Sequence, residues 1–310
     1  MGQEAEARET WIESEALVDN PSSRAVARMK DGLEMAGIGP GLVVLNGFGP
    51  AYGALQAMAD QALKEIGARV LSGEQMLADD SAVATCFVGS PDRLFALCQA
   101  GYAPVLTHAL VGGGAVFPIV HTVAAQHGIA LCDAMTDPEF GPYAVRSSRE
   151  DAYVLLGDIN VSILQAGGDS DVPHGMVGEV VLDDPLANDA PLRTGVLSAL
   201  EQVPHRYRAP GLQGWLGFAQ PVATVQEHKV HASDIAQLVS EHEDVLDARL
   251  IAHAKDETQP VLQVETEAGD WIDEDVLARF EALTGLRPQL ERLAPGRFGN
   301  TGRTFALMAA

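Results

Sequence analysis

The sequence predicts an α/β protein: a doubly wound, mostly parallel sheet with an antiparallel β subdomain, followed by a small α+β C-terminal domain. Three observations carry that expectation. Between residues 42 and 131, short apolar runs rich in β-branched residues alternate with helical apolar spacing, the pattern of strand and crossover helix that builds a parallel sheet. After Gly141 the apolar runs shorten, and Gly, Asp and Pro turns separate them as between antiparallel strands. From Ser233 onward helix and strand alternate again on a smaller scale. A chain of 310 residues that is 47% hydrophobic buries one large core and leaves enough sequence for a second, smaller one. We therefore expect an acidic arm over residues 1–23, a large α/β domain over 24–210 and a small α+β domain over 211–310.

Taken in order, Ser22 and Ser23 cap a helix that runs from Arg24 to the glycine cluster at Gly37, with Val26, Met29, Leu33 and Met35 on one side. Residues 42–45 read as a strand, Asn46-Gly47-Phe48-Gly49 as a glycine-rich turn and 51–66 as a helix. A dinucleotide site at this turn needs GxGxxG; Gly47, Gly49 and Gly53 miss that spacing, and a plain turn is the other reading. Strands are expected at 68–71, 84–88 and 105–107, with a helix over 91–100 opened by Pro91. Val111-Gly112-Gly113-Gly114-Ala115 leads into a helix over 118–127, then a strand at 129–131 and a loop over 132–142. The antiparallel subdomain takes strands at 152–156, 160–164 and 178–182. In the last third, Ser233 caps a helix that buries Ile235, Leu238 and Val239, and strands at 248–252 and 261–264 flank a turn at 256–258. A second helix over 273–283 turns Val276, Phe280 and Leu283 inward and stops at Gly285, after which 289–293 closes the sheet.

Charge and cysteine usage narrow the partners. Acidic residues outnumber basic ones 43 to 20, and the net charge of -23 repels nucleic acid polymers and anionic lipid alike. Cys86, Cys98 and Cys132 lie in apolar surroundings without close pairing, as buried thiols of a reducing compartment do. The acidic N-terminus lacks a charged-then-apolar leader, and no apolar run approaches the ~20 residues a spanning helix needs, so a cytoplasmic location is expected.

Chemistry is expected at two loops beyond the carboxyl ends of the predicted parallel strands, where such sheets bind ligands. At Gly112, Gly113 and Gly114, with Ala115 beside them, no side chain separates the backbone from a flat ring or a phosphate; the same residues also permit a tight turn. In the second loop Asp133, Asp137 and Glu139 offer oxygen donors to a hard cation, or make an ordinary solvated turn. His228 and His231 are three residues apart on a predicted strand, so they point to opposite faces rather than to one metal, and His174 belongs to a surface turn.

Five stretches, in this order and at these spacings, resemble the hinge region of the adenylate-forming acid:CoA ligases, in particular the phenylacetate-CoA ligase-like branch. They are GEVVLDD from Gly178, Leu192-Arg193-Thr194-Gly195-Val196, Gly214-Trp215-Leu216-Gly217-Phe218-Ala219-Gln220, SDIAQLV from Ser233 and DARL from Asp247. The resemblance extends over roughly residues 24–303 and implies an AMP-binding large domain, a small C-terminal domain and the use of ATP, magnesium and CoA. It places Gly112, Gly113, Gly114 and Ala115 beside the adenine ring, Arg193 and Thr194 at the nucleotide, and Glu139 at the magnesium. The stretch from Pro295 to Thr304 is similar to the loop whose lysine neutralises charge between the carboxylate and the α-phosphate as the adenylate forms. Arg303 stands in that place, keeping the charge on a longer, planar fork.

The positions implied to do chemistry are changed. Where the family has a ribose-binding aspartate after Arg-Thr-Gly, Val196 accepts no hydrogen bond through its side chain. Phe218 and Gln220 replace an arginine and an aspartate, Gln226-Glu227 replaces a lysine-glycine turn, and residues 204–208 lack the cysteines of the metal clip found in some relatives. The 23 residues before Arg24 hold no Ser/Thr/Gly-rich phosphate loop, and the magnesium loop lacks its aromatic-glycine-threonine form. Each lost transition-state charge contact is worth ~3 to 4 kcal/mol. The expectation is therefore a degenerate ligase-like protein, with adenylation impaired or absent and an acyl or nucleotide pocket or a partner-binding role retained. The alternatives are an active AMP-forming aryl- or acyl-CoA ligase working through Arg303, and a non-catalytic subunit that pairs with a full-length ligase.

Overall fold

The computed structural model describes residues 21–72, 84–101, 105–148, 150, 152–157, 159–185, 190–201, 211–219, 222–225, 228–242, 244–253, 259–295, 297 and 306–308. The chain divides into two compact units, one of residues 1–159 with 203–212 and one of residues 160–202 with 213–310. The acidic arm over residues 1–20, Gln220, residues 226–227, the stretch 204–208, the turn at 256–258 and Arg303 lie outside the described residues.

The first unit is built on a seven-stranded sheet. Its strands are β1 (Val43–Gly47), β2 (Arg69–Ser72), β3 (Cys86–Gly89), β4 (His108–Val111), β5 (Ala130–Asp137), β6 (Gly141–Ser147) and β7 (Val154–Leu155). They lie in the order β2-β1-β3-β4-β5-β6-β7; the first five are parallel, β6 runs against them, and β7, antiparallel to β6, returns to their direction. Helices α1 (Ser23–Met35), α2 (Gly53–Glu65), α3 (Pro91–Gln99) and α4 (Pro118–Gln126) cover it. Successive strand residues point to opposite faces, so Val44, Cys86, Val88, Leu110, Cys132 and Ala134 pack on α1 and α2. Leu45, Phe87, Ala109, Val111 and Leu131 pack on α3 and α4. Strands buried on both sides read as continuous apolar runs, which is why the sequence signals them well. Ser22 Oγ accepts from the Ala25 amide and caps α1 as expected. Cys86, Cys98 and Cys132 are free and buried, and burial pushes the Cys132 thiol up to about 11.

The second unit begins with four antiparallel strands, β8 (Asn160–Leu164), β9 (Gly178–Asp183), β10 (Leu192–Ser198) and β11 (Gly217–Phe218), in the order β11-β10-β9-β8. A hairpin of β12 (Val222–Val225) and β13 (His228–His231) leads to α5 (Ala232–Glu241), β14 (Asp247–His253), β15 (Val261–Glu265), α6 (Asp273–Thr284), β16 (Gln289–Leu293) and β17 (Ala306–Met308). The last four strands lie in the order β16-β15-β14-β17, and Ile235, Leu238, Val276 and Phe280 bury the two helices against Ala248, Leu250, Leu262 and Val264.

Several expectations are corrected. The strand expected at 105–107 lies at His108–Val111, because the His108 ring packs over Gly37 and starts the strand despite its polarity. Residues 132–142 are not a loop: β5 and β6 form a hairpin around a turn at 138–140, with Asp133 and Asp137 inside the ladder. Helix α5 is capped by His231 rather than Ser233, with the His231 amide donating to Asp234 Oδ2 at 2.8 Å. Gln289–Leu293 does not close the small sheet alone, since Ala306–Met308 adds an edge parallel to β14.

Gly47 and Gly89 end β1 and β3 beneath the Phe87 ring. A Cβ on Gly89 lies 2.7 Å from the Gly47 carbonyl carbon and from Phe87 Cζ, so the two backbones must part to admit it. Gly89→Ala is expected to lower unfolding free energy by about 1–3 kcal/mol, as overpacking does, read from the urea midpoint at unchanged slope.

Candidate functional site

The carboxyl ends of β1, β3, β4 and β5 meet where the glycine loop leaves β4. The Gly112 amide donates to the Gly89 carbonyl at 3.0 Å, continuing the ladder one residue past the strand. A Cβ on Gly112 falls 2.8 Å from Thr136 Cγ2 and 3.2 Å from the Ala134 carbonyl oxygen. Gly113 has φ +84°, a Cβ there meets the Tyr52 ring at 2.8 Å, and its amide donates to Thr136 Oγ1 at 2.8 Å. Gly112 and Gly113 are thus required by the protein's own packing. Gly114 is exposed with nothing within 4 Å of its Cβ direction, and Ala115 is half-buried, so an incoming group meets bare backbone at Gly114.

Beside this loop stands a buried charge. The Asp133 side chain has no exposed surface, and Asp133 pairs across the sheet with Val111, the last residue before the loop. Its carboxylate accepts from Arg146 Nε at 3.3 Å and from a terminal Arg146 nitrogen at 2.8 Å, from the Tyr153 hydroxyl at 2.6 Å and from His121 Nε2 at 3.2 Å. The Arg146 guanidinium also lies over the Tyr153 ring, 4.6 Å from its centre. Burial alone would raise the Asp133 pKa, but the hydrogen bonds from His121 and Arg146, the Arg146 charge and the Tyr153 hydroxyl outweigh it and hold the carboxyl below its ordinary value. Burial first, and then the Asp133 charge, push the Tyr153 phenol well above its ordinary range.

The remaining carboxylates of the hairpin do not join it. Asp137 Oδ1 accepts from the amides of Glu139 and Phe140 at 2.8 and 3.1 Å, which closes the turn locally. Glu139 is exposed. Among the described residues no group of three or more His, Cys, Asp and Glu side chains converges as a metal site requires, His228 and His231 included. Around Glu139 the described residues form no cage of protein carboxylates.

Arg193 and Thr194 hold the second unit together. Arg193 Nε donates to Glu179 Oε2 at 2.9 Å, and its terminal nitrogens reach the Gly168 carbonyl at 2.8 Å, the Gln165 carbonyl at 3.2 Å and Asp169 Oδ1 at 3.3 Å. The Gly195 amide donates to Glu179 Oε1 at 3.1 Å, and Thr194 Oγ1 donates to the Val180 carbonyl at 2.9 Å. Around these contacts the β9–β10 register shifts between Arg193 and Leu197, so the Arg-Thr-Gly segment is a bulge stitched to β9. Val196 pairs with Phe218 in the ladder, and Trp215 packs edge-on against the Phe218 ring with centroids 5.0 Å apart.

The first unit thus brings Gly112, Gly113 and Gly114 together with Thr136 and Tyr52, and the second holds Arg193 and Thr194. His121, Arg146 and Tyr153 were missed from sequence. Asp133, expected as a cation ligand or part of a solvated turn, is neither, and a lone aspartate inside the apolar run Ala130-Leu131-Cys132-Asp133-Ala134-Met135 is the signal of a buried charge in need of partners.

Two outcomes follow. Arg193→Met leaves Glu179 enclosed without its cation and the loop carbonyls without a donor. The expected cost is about 2 kcal/mol, discounted for the partial exposure of Arg193, with Arg193→Lys in between because it restores charge but not the fork; urea denaturation checks both. For Asp133 the folded pKa lies below the unfolded one. Its contribution is complete above the ordinary carboxylate value of about 3.9 and is lost as pH falls through the lowered folded value. Urea midpoints measured against pH are expected to fall less steeply below about pH 4 in Asp133→Asn than in the wild type.

No protein-family model matches the chain, and no curated protein matches it in sequence. Solved structures do match. An open conformation of 2-hydroxyisobutyryl-CoA ligase in complex with 2-HIB-AMP and CoA superposes with a TM-score of 0.59 at 19% identity, covering 93% of this chain and 70% of that one. Apo MatB from Rhodopseudomonas palustris gives 0.57 at 16%, covering 88% and 61%, and ATP-bound MatB from the same organism gives 0.57 at 15%, covering 88% and 60%. Among the described residues no helix is long and apolar enough to cross a membrane. With its largely parallel sheet, antiparallel subdomain and terminal α+β sheet, the chain shares the fold of these solved structures of 2-hydroxyisobutyryl-CoA ligase and MatB.

Proposed function

We propose that the chain is a degenerate acid:CoA ligase-like protein that keeps a small-molecule site at Gly114 for an acyl or adenine nucleotide ligand, with adenylation impaired. One observation carries this reading: Val196, at the position where the sequence resemblance implies a ribose-binding carboxylate, is an apolar rung paired with Phe218, while Arg193 beside it is engaged by Glu179 and the 165–169 loop. Neither side chain offers the ribose hydroxyls an acceptor. The adenine ring needs less. A flat ring requires an open backbone face and van der Waals contact, which Gly114 supplies with the half-buried Tyr52 ring next to Gly113. ATP, when bound, would supply the adenylyl group of an acyl adenylate; the backbone of this chain left open to meet it is that of Gly114, beside Ala115. Glu139 is the carboxylate that would face a magnesium ion brought with the nucleotide phosphates, and Arg303 carries the one charge implied to meet the reacting carboxylate.

Titration calorimetry with ATP and then AMP in the presence of magnesium tests this. AMP is expected to bind more tightly than about 100 μM, with no acid-dependent release of AMP from ATP. Acid- and CoA-dependent turnover above about 1 per second, ordinary for an enzyme, overturns the impaired-adenylation reading in favour of a working AMP-forming ligase. Absence of heat with either nucleotide and an unchanged melting temperature removes the nucleotide site and leaves pairing with a full-length ligase, seen as a hetero-complex on co-expression.

A further inference from the structure

The arrangement of His121 on Asp133 has a chemistry that the fold and the sequence motifs leave unused. We propose that His121 is a general base, oriented by Asp133, for the attack of water or a thiol on an activated acyl carbon at the carboxyl end of the parallel sheet.

The proposal starts from the ring's tautomer. A carboxylate is an acceptor only, so the His121 nitrogen that faces Asp133, Nε2, carries the proton, and neutral imidazole then presents Nδ1 as a lone-pair acceptor. Orientation follows from burial. Asp133 is enclosed and fixed by Arg146 and Tyr153, so the ring cannot turn away without taking a donor from a buried charge. Exposure completes the geometry: the His121 side chain keeps 26% of its surface while that of Asp133 keeps 0%, so solvent meets the part of His121 that faces away from the carboxylate. Among the described residues Asp133 is the only hydrogen-bond partner of the ring. When Nδ1 takes a proton, the new positive charge lies against a carboxylate already in place, the arrangement by which a buried aspartate supports a histidine base. Asp133 is here a positioning residue and His121 the catalytic one.

Position selects the substrate class. Asp133 is the ladder partner of Val111, and His121 sits in the first turn of α4, the helix into which the glycine loop leads. The base therefore belongs to the same end of the sheet as Gly114, and the choice of an acyl compound rests on the acyl-ligand reading of that loop. The step needs no further reactant. An O–H or S–H bond breaks as Nδ1 accepts the proton, the freed lone pair bonds to the acyl carbon, and the bond to the leaving group breaks with its electron pair. The leaving group departs as the anion or recovers the proton from Nδ1.

The full chain is assayed with 4-nitrophenyl acetate, an activated acyl ester that needs no nucleotide, by release of 4-nitrophenolate. His121→Gln retains an N–H donor for Asp133 and is expected to lose at least about tenfold of the rate above buffer, and imidazole added to His121→Ala is expected to restore part of it. A His121→Gln rate equal to wild type, or a wild-type rate equal to buffer, overturns the proposal. Should either variant fail to fold, nitrogen-15 NMR of the wild-type ring decides: the neutral Nε2–H tautomer is required, and an Nδ1–H tautomer overturns it. Because the ester carries no nucleotide, a failed AMP titration and a failed esterase assay are separate results.

Discussion

The first unit turns on the burial of one carboxylate. Asp133 lies in the strand where the parallel part of the sheet ends and the antiparallel part begins, with no surface exposed to water. An unpaired charge there costs several kcal/mol, so its partners must be in place whenever the sheet is formed. They come from three directions: His121 from α4, Arg146 from the facing strand β6, and Tyr153 from just before β7. Charge-assisted hydrogen bonds are worth about 1.5–3 kcal/mol each, enough together to offset desolvation and to explain why the carboxyl stays ionised. One charge thus ties α4, β6 and the segment before β7 to β5.

The second unit repeats this logic with a different outcome for the reading of motifs. Glu179 is nearly buried on β9 and needs a cation, and Arg193 supplies it while its other nitrogens close the 165–169 loop. Gly195 and Thr194 complete the bulge through Glu179 and the Val180 carbonyl. Arg-Thr-Gly is thus a stable structural element whether or not a nucleotide is near. A sequence can keep the motif for the bulge after the neighbouring position, Val196, has become a rung of the ladder.

Much of the fold was legible because its signals are local. Alternating faces along Val44-Leu45 and Cys86-Phe87-Val88 fix those strands, and a serine before α1 fixes its start. Legibility failed where a polar residue was held by partners far along the chain. His108 starts a strand because Gly37 leaves room for its ring, seventy-odd residues away in sequence. Asp133, Asp137 and Pro142 look like loop residues, yet the first is neutralised inside the sheet and the last two belong to the hairpin's strands. Local composition describes what a residue prefers in water; it is silent about a partner delivered by the tertiary fold.

The same distinction reorders the candidate site. Triple glycine suggested a ligand because side chains are absent, but absence has two causes that geometry separates. At Gly112 and Gly113 the space of a side chain is occupied by Thr136, Ala134 and the Tyr52 ring, so glycine is demanded by packing and says nothing about a ligand. At Gly114 the space is empty, and packing gives no reason for glycine. The inference from the loop thus contracts to one residue. By contrast His121, which no motif marks, is held in one orientation by a carboxylate that has no other way to keep its charge in the interior. Packing explains a donor toward Asp133, but an amide would serve as well; only an imidazole can also accept a proton on its outer edge.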